Sequence, residues 1–507
     1  MTSILVPFET DVASVTAAHS KRKFRAAAFV IGLFAFIISA AWSWQPSYWG
    51  DEAASVLSAE RSFPSLFGML GNVDAVHGFY YVFLHIWIDE FGATEFATRL
   101  PSAIAIGIAA SGVFVLARTV LPARVAVIAG LVFAILPRVT YMGAEARSTA
   151  FATAIAVWLT VLLVRVLRLD PGTRRSRWLW VAYGALLALG IYDFLYILLL
   201  LPVHAVVVYL SRSGWAGVRR WVAATFLGCV LAIPVLVFGL AQHDQISFIA
   251  RRPQIGVLDA AVRQWFGSIP LAIAAWLLIG IAVYSVFFTG RAAQQRGARS
   301  ALIVALVWML VPSGILLIGT HLIAPMYSLR YLSICAPAAA IAIAIGLSAL
   351  KSRWLRYGAL AAVVVLALPN YVDQRGDFAK NDGSDWRQVA DIMQASARPG
   401  DAIVFDESVL PSQRPRLAEH LYPAAFAGLT DVTLDRSYLD SSWLWDTTKP
   451  LADVTGRLSG ANTVWVLQNI GSTENKSGAD IRTLQESGFV TIDSTTVNRT
   501  IITEMTR

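Results

Sequence analysis

Charged residues are scarce in this sequence. Asp, Glu, Lys and Arg make up 15% of the 507 residues, while 56% are hydrophobic; a soluble globular domain carries about 25% charged residues. This scarcity excludes an ordinary soluble protein and indicates that most of the chain crosses a lipid bilayer. The net charge of +8 lies mainly in short loops between apolar segments, where basic residues set membrane topology. The sequence therefore predicts membrane lipids as partners and no nucleic acid.

Cysteine is also nearly absent, and this bears on covalent and metal chemistry. Cys229 and Cys335 both lie inside apolar segments, so they are predicted to be small core residues without a disulfide. Asp74 and His77 lack a further ligand at metal-binding spacing, and no metal site is predicted. No Gly-rich phosphate-binding loop is present. The sequence predicts no cofactor.

Apolar runs of roughly 20 residues are what the chain has in abundance, and runs of that length predict membrane spans. The Gly78–Phe91 run is shorter and contains His85 and Asp89, which favours an interfacial or re-entrant helix. The first run follows a basic cluster but lacks a cleavage site, so it is predicted to be a retained span. The predicted spans are eleven: 24–44, 101–119, 122–138, 149–168, 178–192, 194–211, 221–240, 268–289, 300–320, 331–349 and 357–370.

The distribution of arginines between these spans predicts the orientation. With residues 1–23 in the cytoplasm and 78–91 not crossing, the cytoplasmic loops are richer in Arg and Lys than the outer loops. This is the positive-inside pattern. Counting 78–91 as a span would reverse it for every later loop. We therefore predict a multi-pass protein of a bacterial plasma (inner) membrane, with its active site and C-terminus extracytoplasmic.

After Asn370 the composition changes, which predicts a soluble C-terminal domain. Charged residues become frequent, Trp386–Ser396 has a helical pattern, and three short runs have strand patterns. The predicted strands are Ala402–Phe405, Thr463–Leu467 and Thr500–Glu504. The predicted organisation is a cytoplasmic N-terminus (1–23), a transmembrane domain (24–370) with a large first outer loop (45–100), and a small extracytoplasmic α/β domain (371–507).

Polar side chains gather in the outer loops of this topology, as an active site at one membrane face requires. Charged groups beside membrane spans are costly and are by default functional candidates. Asp51, at the bilayer edge, is suited to take a proton from an attacking hydroxyl; alternatively it caps an interfacial helix that begins there. Glu145 and Arg147 are two residues apart, so they are expected to have separate partners.

The basic residues of these loops have two interpretations each. Arg147 is suited to bind a phosphate through its planar donor fork, or it reaches the headgroups as an interfacial arginine. Arg330 begins a predicted span, where the helix dipole does not favour a cation, and this slightly favours anion binding. Arg251 and Arg252 contact either a phosphate or lipid headgroups. His321 is equally well explained as a surface loop residue.

Several motifs in series resemble the GT-C superfamily of membrane glycosyltransferases. The branch that the chain is similar to contains protein O-mannosyltransferases, the lipid A aminoarabinose transferase and polyprenyl-phosphate-mannose-dependent transferases. The resemblance covers about residues 24–350. The motifs are Trp49-Gly50-Asp51-Glu52, Val76-His77-Gly78-Phe79-Tyr80-Tyr81 with Leu84-His85-Ile86-Trp87, Phe91-Gly92 through Arg99-Leu100-Pro101-Ser102, Gly143-Ala144-Glu145-Ala146-Arg147-Ser148, and Tyr327-Ser328-Leu329-Arg330-Tyr331-Leu332.

The resemblance implies an inverting glycosyltransferase with a polyprenyl-phosphate-sugar donor and a glycolipid, glycan or protein acceptor of the cell envelope. It implies Asp51 as the base, with Glu52 as its neighbour or substitute. It also implies that Arg147 and Arg330 bind the donor phosphate, with His321 and Tyr331 nearby. Gly78-Phe79 and Ser148 depart from the common pattern, which leaves the sugar and acceptor open, with mannose the best guess. The further candidates for substrate binding are Glu145, His77, Tyr81, Arg251 and Arg252.

Three other functions remain open from the sequence. A transporter or flippase for a lipid-linked or envelope glycan precursor is expected to place polar residues near mid-membrane and to show internal repeats; the sequence shows neither. An oligosaccharide ligase would use the same donor chemistry with a larger glycan. A non-catalytic scaffold would not need Asp51-Glu52 together with outer-face arginines.

Overall fold

The computed structural model describes residues 9–170, 172–245, 256–289, 297–323, 326–472 and 474–507. The chain is helical up to Asp373 and continues into a smaller part that contains a β-sheet. The helices of the first part are α1 Glu9–Ala40, α2 Gly50–Ala59, α3 Phe63–Leu70, α4 Gly78–Phe91, α5 Glu95–Arg118, α6 Ala123–Ile135, α7 Pro137–Met142, α8 Thr149–Val166, α9 Arg174–Asp193, α10 Leu201–Leu210, α11 Gly214–Leu231, α12 Ile233–Ala241, α13 Val257–Arg263, α14 Ile269–Phe287, α15 Ala298–Leu322, α16 Ala336–Ala349 and α17 Arg353–Asp373.

Each of the eleven predicted spans falls on one of these helices or on a pair of them, but not all are long apolar helices. By length and hydropathy, seven helices of the described chain qualify as membrane spans, and the α11–α12 pair, bent by 57°, makes up to eight. The segments Ala123–Ile135 and Leu195–Leu210 are apolar but shorter. Helix α9 begins with three arginines within four residues and ends on Asp193. The count of about eleven therefore exceeds what length and hydropathy support, because it included short and partly polar helices.

Close packing of small residues holds the helical bundle together. Helix α5 packs against α1, α6 and α8, and α16 packs against α6, α14 and α15. A Cβ at Gly32 or Gly107 would meet the carbonyl oxygen of the other at 2.8 Å, so α1 and α5 touch backbone to backbone. Gly346 of α16 lies closer still, because its Cβ would meet the Leu278 carbonyl oxygen of α14 at 2.0 Å. Small residues at helix crossings allow this approach in membrane proteins.

Replacing Gly346 with Ala is expected to destabilise the bundle by about 1–3 kcal/mol, because α14 and α16 must move apart to admit the methyl group. Thermal unfolding of purified protein in detergent measures the effect. Gly280→Ala is the matched control, since a Cβ there meets nothing within 4 Å. Equal unfolding temperatures for the two variants would contradict the close crossing.

The C-terminal part is an α/β unit, as predicted from its sequence patterns. Its five-stranded sheet has the order β2-β1-β5-β7-β6, in which β1 pairs parallel with β2 and β5, and β7 pairs antiparallel with β5 and β6. A second sheet consists of the antiparallel pair β3 and β4. The elements are α18 Trp386–Ser396, β1 Ala402–Phe405, α19 Leu417–Leu421, β2 Thr430–Asp431, β3 Leu434–Arg436, β4 Thr447–Thr448, β5 Thr463–Asn469, α20 Glu474–Glu486, β6 Val490–Thr496 and β7 Thr500–Thr506.

This C-terminal part covers the first outer loop. Helix α2, for which the sequence leaves an interfacial position open as an alternative, is buried along its whole length except at Asp51. Its apolar side chains share a core with α18, α19 and β1. A Cβ at Gly50 would meet the Ser412 carbonyl oxygen at 2.3 Å. The alternative of an interfacial helix capped by Asp51 therefore does not fit the structure: protein covers the apolar face of α2, and the N-cap residue is Trp49.

Candidate active site

Asp51 lies in the first turn of α2, where a carboxylate is favoured by the helix dipole. The residue at the N-cap position is Trp49, and it makes no side-chain cap hydrogen bond. The Asp51 side chain keeps 22% of its surface exposed. Its Oδ2 atom pairs with the guanidinium of Arg330 and lies 4.0 Å from Nη2 of Arg147. Asp51 is thus an accessible carboxylate between two arginines.

Arg330 reaches Asp51 from the 3₁₀ turn Leu329–Cys335, which leads into α16. Its guanidinium carbon lies 5.4 Å from the Trp49 ring centroid and 5.9 Å from that of Tyr331. Tyr331 in turn stacks on Tyr196, with ring centroids 4.6 Å apart. Cation–π contacts of this kind fix the plane of a guanidinium. The Arg330 side chain remains 17% exposed, so its planar donor fork is held in place beside accessible space.

Arg147 comes from the turn between α7 and α8 and is held by several acceptors. Its Nη1 donates to the Asp51 carbonyl oxygen at 3.1 Å and to Oγ of Ser55 at 3.2 Å. Its Nη2 donates to Nε2 of His77 at 3.3 Å, which requires that ring nitrogen to be unprotonated. Burial, assisted by the Arg147 charge, lowers the pKa of His77 to about 3. His77 therefore acts as a neutral support for Arg147.

Tyr81 and Asp74 extend this support. The Tyr81 hydroxyl donates to Oδ2 of Asp74 at 2.8 Å, and its ring lies 6.0 Å from that of His77. Burial raises the pKa of Asp74, and the Tyr81 hydrogen bond and the Arg147 charge oppose that rise. The structure thus places His77 and Tyr81 near the candidate site, around Arg147.

Glu52 points away from Asp51 into the protein. Its two carboxylate oxygens accept hydrogen bonds from Nε and Nη2 of Arg99, at 2.7 and 2.6 Å, and Oε1 also accepts the Ala146 amide at 2.9 Å. Both side chains of the ion pair are fully buried. Burial alone would raise the pKa of Glu52, but the charges of Arg99 and Lys380 bring it below its ordinary value. Glu52 is therefore a buried carboxylate whose negative charge is compensated by Arg99 and whose two oxygens both accept hydrogen bonds.

A cavity of about 320 Å³ lies beside Arg330, within the range typical of ligand pockets. Glu145 is buried, and its Oε1 has no hydrogen-bond partner. The pKa of Glu145 is raised, mainly by burial. The wall thus combines guanidinium groups with a carboxyl and aromatic rings. The lining residues are Trp49, Pro137, Arg138, Tyr141, Glu145, Arg263, Gly267, Ser328, Leu329, Arg330, Gln374 and Asn381.

Not every predicted residue joins this group. His321 lies exposed in the last turn of α15, and within the described ranges no contact joins it to Asp51, Arg147 or Arg330. Arg251 and Arg252 lie outside the described residues. The Tyr331 ring lies beside the Arg330 guanidinium. The placement of His321 fits the surface-residue alternative.

Sequence reasoning missed four residues that shape the site. The sequence indicates Trp49 only as part of a motif, yet its ring packs on Arg330. Arg138 lines the cavity, and Arg99 and Lys380 surround Glu52. The motif around Arg99 and the Pro137-Arg138 pair at a span end were visible signals. Lys380 gave no signal, because it follows the last span and its neighbours are ordinary loop residues. Among the residues that the structure describes, no cluster of three or more His, Cys, Asp or Glu side chains is arranged to hold a metal ion.

Comparison with solved structures defines the class of protein to which this arrangement belongs. ArnT from Cupriavidus metallidurans, bound to undecaprenyl phosphate, matches with a TM-score of 0.59 at 14% identity, over 96% of this chain and 98% of that chain. Its apo state matches over the same shares with a TM-score of 0.57 at 13% identity. The chain is a polytopic helical membrane protein of the GT-C glycosyltransferase fold, and the fold predicted from the motifs is confirmed.

Two further comparisons concern the sequence and more distant structures. A family model described as dolichyl-phosphate-mannose-protein mannosyltransferase matches residues 79–238. AglB from Archaeoglobus fulgidus, in complex with an inhibitory peptide and a dolichol-phosphate, gives a TM-score of 0.47 at 12% identity, over 89% of this chain and 70% of that chain. No curated protein matches the sequence. The sugar and the acceptor therefore have to be argued from the site.

Proposed function

We propose that the protein is an inverting glycosyltransferase that moves a sugar, most simply mannose, from a polyprenyl-phosphate donor to an acceptor of the cell envelope. The observation that carries this proposal is the grouping of an accessible carboxylate, Asp51, with Arg147 and Arg330 beside a cavity of about 320 Å³. The chemistry is placed on the extracytoplasmic side of a bacterial plasma membrane, in keeping with the arginine distribution of the loops. An extracytoplasmic site has no supply of nucleotide sugars, so a lipid-carried donor is the consistent choice.

The two arginines act on the donor phosphate. As the bond between the sugar C1 and the phosphate oxygen breaks, negative charge develops on the departing polyprenyl phosphate. Guanidinium groups fixed in advance stabilise that charge most effectively, and their planar forks match phosphate oxygens. In the absence of donor, Asp51 forms an ion pair with Arg330. The phosphate of the donor competes for the same guanidinium and displaces the Asp51 carboxylate.

The released Asp51 carboxylate then acts as the general base. It takes the proton from the acceptor hydroxyl while that oxygen attacks C1 from the face opposite the phosphate, which inverts the configuration. Glu52 is not proposed as a substitute base, because both of its oxygens are engaged by Arg99 and the Ala146 amide. Its role is to fix the start of α2, and with it Asp51.

The comparisons support the donor class. The matching family model is named for a mannosyltransferase that uses dolichyl-phosphate-mannose, and the ArnT structure was solved with undecaprenyl phosphate. Both descriptions contain a polyprenyl phosphate.

The test is sugar transfer in membranes that contain the protein, with radiolabelled polyprenyl-phosphate-mannose as donor and endogenous envelope material as acceptor. Label in the acceptor fraction, absent from membranes without the protein, would support both the reaction and the sugar. If only another polyprenyl-phosphate sugar transfers label, mannose is wrong and the reaction class stands. Absence of transfer from every polyprenyl-phosphate sugar, by protein that is folded and abundant, would contradict the proposed function.

Arg330→Lys is expected to raise the KM for the donor about ten- to a hundredfold, because one charged hydrogen bond to the phosphate, worth roughly 1.5–3 kcal/mol, is lost with the planar fork. Initial rates over a range of donor concentrations measure the change. The matched control is Arg353→Lys, at the start of α17, where the guanidinium lies over the Trp354 ring. An unchanged KM in Arg330→Lys would remove Arg330 from the phosphate site.

A further inference from the structure

Lys380 connects the C-terminal part of the chain to the candidate active site. It lies between α17 and α18, yet its side chain is only 2% exposed. Its ammonium group donates to the Ala144 carbonyl oxygen at 2.6 Å and lies 4.8 Å from the Tyr141 ring centroid. The same group lies 3.9 Å from Oε1 of Glu52. Lys380 therefore reaches back from outside the helical bundle to the turn that carries Glu145 and Arg147.

Ser384 and Asp385, which follow Lys380 closely, form hydrogen bonds to the first outer loop and to the C-terminal sheet region, respectively. Ser384 donates to the Tyr48 carbonyl oxygen at 2.5 Å, next to the motif that begins at Trp49. Asp385 accepts the backbone amides of Asn498, Arg499 and Thr500 at 3.1, 2.8 and 2.8 Å. These amides lie at the start of β7. The segment 380–385 thus ties the β-sheet to the first outer loop, and this tie fixes where Lys380 inserts.

Glu52 lies 3.9 Å from the Lys380 ammonium group, and Glu145 directly follows Ala144, whose carbonyl oxygen accepts the Lys380 hydrogen bond. The negative charge of Glu52 is compensated by its ion pair with Arg99, whereas Oε1 of Glu145 has no hydrogen-bond partner. Burial raises the pKa of Glu145, and the Lys380 charge opposes that rise. Glu145 also lines the cavity beside Arg330. A carboxylate at that wall without the Lys380 charge would repel an anionic ligand, because like charges facing each other across a binding surface disfavour binding.

We propose that Lys380 is a positioning residue through which the C-terminal part completes the active site. It holds the 143–148 turn, and so the Arg147 side chain, and it offsets the negative charge of Glu145 so that the cavity accepts a phosphate. This inference rests on the proposed function for its effect on the donor, but its effect on the turn stands independently. It assigns the C-terminal part a role in the reaction.

Three variants of the full-length protein test the inference. Lys380→Met removes the charge, Lys380→Arg keeps it, and Lys449→Met is the control, since Lys449 belongs to the same part of the chain and forms a half-exposed ion pair with Asp435. In Lys380→Met, the KM for the donor is expected to rise about tenfold with a smaller change in kcat, and amide hydrogen exchange in 143–148 is expected to accelerate. Lys380→Arg should restore most of both, and Lys449→Met should leave both unchanged.

A fourth variant keeps the inference testable if Lys380→Met does not fold. Lys380→Met combined with Glu145→Gln leaves no unmatched charge and should recover the KM of the wild type. A double variant no better than Lys380→Met, or unchanged exchange and kinetics in Lys380→Met, would overturn the inference. If the wild type transfers no sugar but exchange in 143–148 still depends on Lys380, the proposed function fails and the structural tie remains.

Discussion

Asp51→Asn is expected to lower the rate of sugar transfer about 10²- to 10⁴-fold, the usual contribution of a positioned general base. The amide still accepts a hydrogen bond from Arg330 but takes no proton from the acceptor hydroxyl. The loss should therefore fall on kcat, while the KM for the donor stays similar or drops, because Arg330 no longer has a competing carboxylate partner. Initial rates at saturating donor measure this effect.

The control for this variant is Asp89→Asn in the same outer loop. Asp89 is 67% exposed and contacts His85 at 3.6 Å, so the substitution should leave kcat within about twofold of wild type, as surface changes usually cost less than 0.5 kcal/mol. Full activity of Asp51→Asn would show that another group takes the proton. An equal loss in both variants would point to a general effect on the outer loop instead.

The sequence predicted the members of the site better than their roles. Asp51, Arg147 and Arg330 were chosen because outer-loop charges and family-like motifs coincide, and the structure brings them together although 279 residues separate the first and last. Asp51 and Glu52, by contrast, are adjacent acidic residues, so the sequence alone does not distinguish their roles. On an α-helix, consecutive side chains point about 100° apart, so one meets Arg330, which lines the cavity, and the other points into the interior. Which one does so depends on the position of Arg99, which the sequence does not reveal.

The same contrast applies to the fold: elements set by a local sequence pattern could be predicted, and features set by contacts between distant residues could not. Helix α18 and strand β1 were predicted at the bounds that the structure shows, because their hydrophobic patterns are strong. Strand β6 is not predicted from the sequence: it is exposed along its length and rich in Thr and Ser, its apolar alternation is limited to Val490 and Ile492, and it pairs along one side with β7. The covering of α2 by the C-terminal part was equally invisible, since an amphipathic helix has the same pattern beneath a lipid headgroup or a protein.

The largest expected effect on stability belongs to the buried pair of Glu52 and Arg99. Arg99→Met is expected to lower the free energy of unfolding by about 3–5 kcal/mol, because it leaves the Glu52 carboxylate buried with only part of its compensating charge. Arg99 also donates to the carbonyl oxygens of Ser43, Pro46 and Ser47, at 2.7, 2.7 and 3.2 Å. These carbonyls lie just before the Trp49 motif, so the same substitution also removes hydrogen bonds that hold the segment leading to Asp51.

Unfolding of detergent-purified variants measures this loss, and two comparisons isolate its cause. Arg263→Met breaks the exposed ion pair with Asp259, whose side chains are 67% and 47% exposed, and should cost no more than about 1 kcal/mol. Arg99→Met combined with Glu52→Met removes both charges, so it should recover part of the loss of the single variant. Recovery stays incomplete, because the three carbonyls and the Ala146 amide lose their partners. If Arg99→Met unfolds with the same free energy as Arg263→Met, the buried pair does not hold the first outer loop to the bundle, and the placement of Asp51 has to depend on the contacts of the C-terminal part alone.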